Sequence, residues 1–133
     1  MIAKRKETII KYRLERSKES LDAARLMFDN DMLIPSMNRI YYSMFYAVQA
    51  LLVLKDNAFS KHGQVKGYFN REFIKTGVFP KKFGKIYNLV FEYRQKYDYV
   101  DLEIPGKKLI GDYLGEAKAF NDEISRYISK QVE

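Results

Sequence analysis

Arg39 and Tyr46 are the side chains of this 133-residue sequence whose types and spacing best suit chemistry on an anion. They are seven positions apart in a stretch with helical periodicity, so they would lie almost in line, two turns from each other. A guanidinium among phenols and small groups is costly to bury unless it is paired, and a phosphate would satisfy its planar fork of donors. The pair therefore predicts a phosphate-binding site.

Residues 34–54, which contain this pair, are predicted to form the central helix of the fold. One broad side of the helix is apolar, and it carries Ile40, Tyr41, Met44, Phe45, Val48, Leu51 and Leu52. The opposite side carries Arg39, Tyr42, Ser43, Tyr46 and Ala50. This second side lacks the mixture of lysine and glutamate that is typical of a helix face in water. We therefore expect a second copy of the chain to cover it across a two-fold axis, with two Arg39 side chains near one cleft.

The residues of this second side also have a structural interpretation. Arg39 could form a salt bridge with Asp98 or Glu92 inside the same chain. Tyr42 and Tyr46 could pack in the core or in a dimer interface, with each hydroxyl hydrogen-bonded. The sequence leaves these alternatives open.

His62 is the single histidine, and it is predicted to lie in the first turn of the third helix. It is interpreted either as a capping or packing residue or as a contact to a base or a phosphate. Arg94 and Tyr99, toward the end of the fourth helix, have similar alternatives, helix-end packing or ligand contact.

Hydrophobic periodicity predicts five helices joined by short loops. Their expected ranges are 6–29, 34–54, 60–76, 80–99 and 108–130. Ser60 is a suitable N-cap for the third helix, and Gly77 is a suitable cap at its end. No segment of useful length alternates with period two, so no sheet is expected. The sequence thus predicts an all-α fold, an antiparallel up-and-down bundle of about five helices in one domain that spans residues 1–133.

Composition limits the compartment and the cofactors. The chain has no cysteine and one histidine, which excludes a disulfide framework and a thiolate metal site and favours a reducing cytoplasm. The motifs of phosphate-cradling loops and zinc sites are absent, so neither a cofactor nor a metal is expected. The N-terminus lacks the apolar run of a signal peptide, and polar residues in the central helix argue against a membrane span.

The charge of the chain is positive and unevenly distributed. The formal net charge is +7, from 24 lysines and arginines against 17 acids. Residues 61–85 contain seven basic residues and one acid, Glu72. This excess favours a polyanionic partner, RNA before a membrane surface, because basic side chains neutralise phosphates. The alternative is a basic surface with no specific partner.

Several of these residues recur together in a known pattern. In chain order they are the run Asn38-Arg39-Ile40-Tyr41-Tyr42-Ser43-Met44-Phe45-Tyr46-Ala47, then Ser60-Lys61-His62, then Arg94 and Asp98-Tyr99. In order and spacing, over roughly residues 10–130, this sequence resembles the HEPN domain family, in particular its small stand-alone prokaryotic members. The Asn-Arg-x-Tyr-Tyr core is the most specific part of the resemblance.

The resemblance implies a helical bundle that dimerises through the face carrying Arg39. It also implies a cytoplasmic role in RNA or nucleotide handling, often as the toxin-like half of a pair with a minimal nucleotidyltransferase. A nucleotide- or RNA-binding site would then include Asn38, Arg39, Tyr42, His62, Arg94, Asp98 and Tyr99. Many members of the family are metal-independent ribonucleases that use an arginine followed, after four to six residues, by a histidine.

This sequence departs from the catalytic pattern, because Tyr46 occupies the position where the pattern has histidine. Phenols ordinarily have a pKa of about 10, so a tyrosine is a poor general base at neutral pH. Three hypotheses therefore remain. In the first, the protein binds RNA or a nucleotide phosphate in the dimer cleft, and in the enzyme version of this hypothesis Arg39 stabilises the scissile phosphate while Tyr46, or else His62, moves the proton of the ribose 2′-hydroxyl. In the second, it is a non-catalytic helical module that docks a nucleotidyltransferase. In the third, it is a structural helical protein whose basic charge has no specific partner.

Overall fold

The computed structural model describes residues 3–59, 61–99 and 106–132, and for residues 96–99 it describes the backbone alone. Five α-helices follow one another, namely α1 (Lys4–Asp29), α2 (Leu33–Leu54), α3 (His62–Phe69), α4 (Lys81–Tyr99) and α5 (Lys107–Val132). None of the described residues is in a β-strand. The prediction of an all-α fold with five helices is confirmed, and four of the five helices have their predicted ends to within two residues.

α2 is the centre of the bundle and contacts each of the other four helices. Its apolar side is excluded from solvent, as the helical periodicity predicts. Across the core from it, the rings of Phe69, Tyr87 and Phe120, from α3, α4 and α5, meet pairwise with centroids 5.3 to 5.7 Å apart. Tyr87 also stacks on Tyr41 of α2 with centroids 6.2 Å apart, so aromatic packing joins the second half of the chain to α2.

Neighbouring helices of the bundle run antiparallel. Ser36 Oγ donates to the carbonyl of Ala24 at 2.8 Å, and Ser17 Oγ donates to the carbonyl of Ser43 at 2.6 Å, so α1 and α2 run in opposite directions. The ring pairs that fix the same relation between α4 and α5 are Phe83 with Phe120 and Tyr93 with Tyr113. The antiparallel arrangement confirms the predicted bundle.

The side of α2 for which the sequence predicts a covering second copy divides into two flanks. Ser43 and Ala50 are completely buried within the chain itself. Ser43 contacts Ser17 of α1, and its Oγ accepts a hydrogen bond from Asn121 Nδ2 of α5 at 3.1 Å. At these two positions the prediction of a covering second copy is wrong, because small side chains let helices of the same chain approach. The residues of this side that stay partly exposed are Arg39, Tyr42 and Tyr46.

The third helical segment differs from its prediction as one helix over 60–76. α3 continues instead into a π-helical turn, Asn70–Ile74, and Gly77 follows with φ of 82°, which confirms its role at the end of the segment. Asn70 Nδ2 donates to Asn88 Oδ1 of α4 at 2.9 Å, and Gly84 leaves room there, since a Cβ at Gly84 would lie 3.1 Å from Asn70 Oδ1. The predicted N-cap, Ser60, lies outside the described residues.

Candidate phosphate-binding site

Arg39 is held by its neighbour on α2. Its Nε and Nη2 donate to Asn38 Oδ1 at 3.1 and 2.7 Å, and its guanidinium carbon lies 4.8 Å from the ring centroid of Tyr42. In the described part of the chain no carboxylate forms an ion pair with Arg39. The predicted alternative of a salt bridge to Glu92 is therefore wrong, whereas the side chain of Asp98 lies outside the described residues. Asn38, predicted as a ligand contact, fixes the direction of the guanidinium.

His62, the first residue of α3, packs on the aromatic residues of α2. Its ring stacks on Phe45 with centroids 4.1 Å apart and meets the Tyr42 ring edge-on at 5.7 Å. Its Nδ1 shares a 2.7 Å hydrogen bond with the hydroxyl of Tyr41. His62 and Arg39 thus both contact the Tyr42 ring, so the fold places the single imidazole of the sequence against a ring that the arginine also contacts.

Arg94 reaches the same tyrosines from α4. Its guanidinium carbon lies 5.5 Å from the ring centroid of Tyr41 and 5.6 Å from that of Tyr42. Cations at these distances are attracted to the electron-rich faces of the rings. The structure therefore joins Arg94 to the predicted site. The side chains of Asp98 and Tyr99, the remaining predicted contacts, lie outside the described residues.

Arg16 of α1 is a member of the site that sequence reasoning misses. Its Nη2 donates to the Tyr46 hydroxyl at 3.4 Å, and its guanidinium carbon lies 5.3 Å from the centroid of the Tyr46 ring. This hydrogen bond raises the pKa of the Arg16 guanidinium above its usual value. The one local signal is its place next to Ser17, which the apolar spacing puts on the core side of α1. Tyr46 is therefore paired with an arginine other than Arg39.

We call these residues the Arg–Tyr cluster, and its members are Arg16, Arg39, Tyr42, Tyr46, His62 and Arg94. Three helices supply the three guanidinium groups, and neither Arg16 nor Arg39 has an ion pair among the described residues. All six side chains are partly exposed. The cluster therefore combines positive charge, flat aromatic rings and access from solvent, which are the features that bind a phosphate next to a base.

Below the cluster, Tyr41 and Tyr87 are completely buried. Burial raises the pKa of the Tyr41 hydroxyl well above its usual range, and the Arg94 guanidinium offsets only part of that rise. Burial likewise raises the pKa of Tyr87. Tyr41 therefore stays neutral at physiological pH, and its hydroxyl can either donate to His62 Nδ1 or accept from it.

Two further observations concern metals and membranes. Nowhere in the described ranges do three side chains of histidine, cysteine, aspartate or glutamate converge as a metal site would require. No helix in residues 3–59, 61–99 and 106–132 is both long and apolar enough to cross a bilayer.

Fold and site together define an all-α bundle with a cationic, tyrosine-rich cluster on its central helix. The family model of the HEPN domain matches residues 10–127, which include every residue of that cluster. This chain belongs to the HEPN domain family.

Relatives of similar length support the same assignment. The chain is 45% identical to a "UPF0332 protein" of Thermotoga maritima over 92% of this chain and 93% of the relative. It is 36% identical to a Methanocaldococcus jannaschii protein named "Putative toxin MJ0142", over 90% of this chain and 82% of that protein. A second protein of that organism with the same kind of name, MJ0605, is 28% identical over 88% of this chain and 87% of its own length. The chain is thus similar to toxin-like members of the family.

Proposed function

We propose that this protein binds RNA, or a nucleotide, through its phosphate at the Arg–Tyr cluster, as the toxin-like member of a cytoplasmic toxin-antitoxin module. One observation supports this proposal above the others. Arg39 and Arg16 are held in place by uncharged partners, Asn38 and Tyr46, and neither is neutralised by a described carboxylate. Cations fixed in this way gain most from an anion that comes from outside the chain.

The tyrosines of the cluster suit the nucleotide's base. Single-stranded RNA is recognised mainly by stacking of unpaired bases on aromatic and guanidinium planes, together with contacts to the phosphates. Tyr42 and Tyr46 have partly exposed rings with centroids 6.1 Å apart, and Arg39 and Arg16 each lie over one of them. A base on a tyrosine would leave its own phosphate near an arginine.

The same surface supports the proposed homodimer. Gln49 and Arg13, three residues beyond Tyr46 on α2 and three before Arg16 on α1, have Oε1 and Nε atoms that are buried without a hydrogen-bond partner among the described residues. Buried polar atoms without partners cost roughly 1 to 3 kcal/mol each. A second copy that covers this flank would let these two side chains turn toward partners across the interface, and it would place two clusters around one cleft.

In the enzyme version of the proposal, Arg39 stabilises the charge that develops on the scissile phosphate. The proton of the 2′-hydroxyl passes either to Tyr46 or to His62. Nδ1 of His62 shares its hydrogen bond with the Tyr41 hydroxyl, so a proton transfer by this imidazole would use the other ring nitrogen, Nε2. Imidazoles ordinarily change protonation near neutral pH and phenols do not, which favours an imidazole over a phenol for this role.

The alternative is a non-catalytic module that docks a minimal nucleotidyltransferase. It is favoured by Tyr46, which replaces the histidine of the catalytic pattern and whose hydroxyl is already bonded to Arg16. In this version the cluster binds a nucleotide phosphate that the partner presents. A minimal nucleotidyltransferase encoded in a neighbouring gene would support either version.

The decisive experiment is RNA cleavage and RNA binding by the purified protein in excess chelator. Arg39→Ala, Tyr46→Phe and His62→Gln are compared with the wild type. Arg126→Ala is the control, because Arg126 is also a helical arginine but is exposed and pairs with Glu123 on α5. Cleavage lost in Arg39→Ala and His62→Gln, and kept in Arg126→Ala, supports the ribonuclease.

The remaining outcomes are also informative. Binding without cleavage, abolished by Arg39→Ala alone, supports the non-catalytic binder. Loss of cleavage in Tyr46→Phe with retention in His62→Gln assigns the proton transfer to Tyr46. Equal RNA affinity in Arg39→Ala and Arg126→Ala would contradict the site itself. The mass of the protein in solution, measured for wild type and Arg39→Ala, tests the homodimer.

A further inference from the structure

A groove between α1 and α5 lies on a different flank of α1 from the Arg–Tyr cluster. It encloses about 630 Å³, and half-buried Leu14 and Leu21 of α1 line it together with Ile128 of α5. Asn121 also lines the groove; the residue is 9% exposed, and its Oδ1 is buried with no hydrogen-bond partner among the described residues. Apolar side chains along an open groove indicate a surface that another molecule covers.

Along this groove α1 carries a row of exposed charges that alternate in sign. The row consists of Glu7, Lys11, Glu15, Lys18, Asp22 and Arg25. Successive members are three or four residues apart, so they share one helix face. Such neighbours could pair within the helix, yet none of the six forms an ion pair in the part of the chain that the structure describes. Their charges are therefore available to another molecule.

This row is complementary to itself when it is reversed. If two α1 helices lie antiparallel, Glu7 of one faces Arg25 of the other, and every other pair is also opposite in sign. The midpoint of each pair lies within half a residue of Arg16. The pairs are Glu7 with Arg25, Lys11 with Asp22 and Glu15 with Lys18. A single two-fold axis therefore satisfies all of them at once. Two parallel helices in register would instead place like charges opposite each other.

We infer that a second copy of this chain docks on the α1–α5 groove, with its α1 antiparallel to the first. Leu14 and Leu21 of each copy lie beside the charged row and become buried in this contact. The contact does not use the Arg–Tyr cluster, because Arg16 is nine residues after Glu7 and so projects from the opposite side of α1. The association is independent of the phosphate site and of any dimer formed there.

Charge swaps along the row test the inference by sedimentation velocity. Glu7→Lys/Glu15→Lys/Asp22→Lys makes the row all basic, and Lys11→Glu/Lys18→Glu/Arg25→Glu makes it all acidic. Each variant alone should sediment with a lower mass than the wild type, and with half that mass where the α2 flank forms no contact of its own. A 1:1 mixture of the two should restore the wild-type mass, and the restored species should weaken as salt is raised.

A six-fold swap is the matched control. Exchanging acid for base at all six positions keeps the net charge and the alternation, so this variant should associate as the wild type does. Circular dichroism shows whether each variant is folded, and recovery in the mixture excludes misfolding as the cause of a lower mass. Identical masses for wild type and both three-fold variants over a range of concentrations would overturn the inference, as would a six-fold variant that stays dissociated.

Discussion

The polar groups on the two flanks of α2 differ in burial and in their partners. On the serine flank, which consists of Ser36, Ser43, Ala47 and Ala50, all four residues are fully buried, and each hydroxyl donates to a backbone carbonyl, Ser36 to Ala24 and Ser43 to Ile40. The cationic flank consists of Arg39, Tyr42 and Tyr46. Here Arg39 is oriented by Asn38 but is not neutralised by a described carboxylate. Small polar residues on a helix therefore indicate close packing within the chain, whereas a fixed arginine without an acid indicates a ligand from outside it.

Ser43→Val should have the largest effect, and on stability alone. Val would add volume at a position with no exposure and would leave Asn121 Nδ2 without its acceptor. Overpacking and an unsatisfied buried donor together should lower the free energy of unfolding by about 3 kcal/mol. Urea unfolding measures this, with Ser43→Ala as the control that removes the hydroxyl without adding volume.

RNA affinity, measured where Ser43→Val is still folded, should equal that of the wild type. A loss of RNA affinity as large as the loss of stability would show that the serine flank takes part in binding. The contrast between the two flanks would then fail.

Arg39→Ala should weaken RNA binding and leave stability almost unchanged, which is the reverse of the result expected for Ser43→Val. Losing a charge-assisted contact to phosphate should cost about 2 kcal/mol of binding free energy, roughly a 30-fold weaker Kd for a single-stranded RNA. Because Arg39 is half-buried, and because its side-chain hydrogen bonds to described residues go only to its neighbour Asn38, the free energy of unfolding should change by less than about 0.5 kcal/mol.

Arg39→Lys sharpens this prediction. It keeps the charge but loses the two-donor contact to Asn38, so its affinity should fall between those of the wild type and Arg39→Ala. Filter binding at fixed salt gives the three values. A destabilised Arg39→Ala with unchanged affinity would identify Arg39 as a structural residue of α2.

The sequence predicts α2 and its apolar side because helical periodicity is a local property of the chain. It does not predict that Ser43 is buried by helices of the same chain, since that depends on where α1 and α5 pack. The position of His62 depends in the same way on the chain between α2 and α3, and Arg16 reaches Tyr46 only because α1 and α2 are antiparallel. The candidate site is therefore suggested by α2 alone, but the set of residues that lie together there depends on the tertiary structure.

His62→Phe should have a smaller effect on stability than Ser43→Val. A phenyl ring can keep the stacking on Phe45, but it leaves the buried Tyr41 hydroxyl without its partner. The expected loss is about 1 kcal/mol in the free energy of unfolding. The double variant His62→Phe/Tyr41→Phe should recover most of that loss, because both polar groups are then removed. If the double variant instead lost as much stability as the two single variants together, the hydrogen bond between Tyr41 and His62 would contribute nothing to the free energy of unfolding.

Alkaline pH should reveal a difference between the wild type and Tyr41→Phe that is absent near neutrality. Burial raises the pKa of Tyr41 and Tyr87 in the folded chain, whereas in the unfolded chain both hydroxyls ionise near pH 10. The folded state therefore holds protons that the unfolded state releases, and stability that is complete below about pH 10 is lost as the pH rises above it. Each buried tyrosine should contribute a slope of up to about 1.4 kcal/mol per pH unit to the free energy of unfolding.

Urea unfolding across this range should show a shallower slope for Tyr41→Phe than for the wild type, with Tyr12→Phe on the exposed face of α1 as the control. An unchanged slope in Tyr41→Phe would mean that water reaches the Tyr41 hydroxyl, which would contradict its burial beneath the Arg–Tyr cluster.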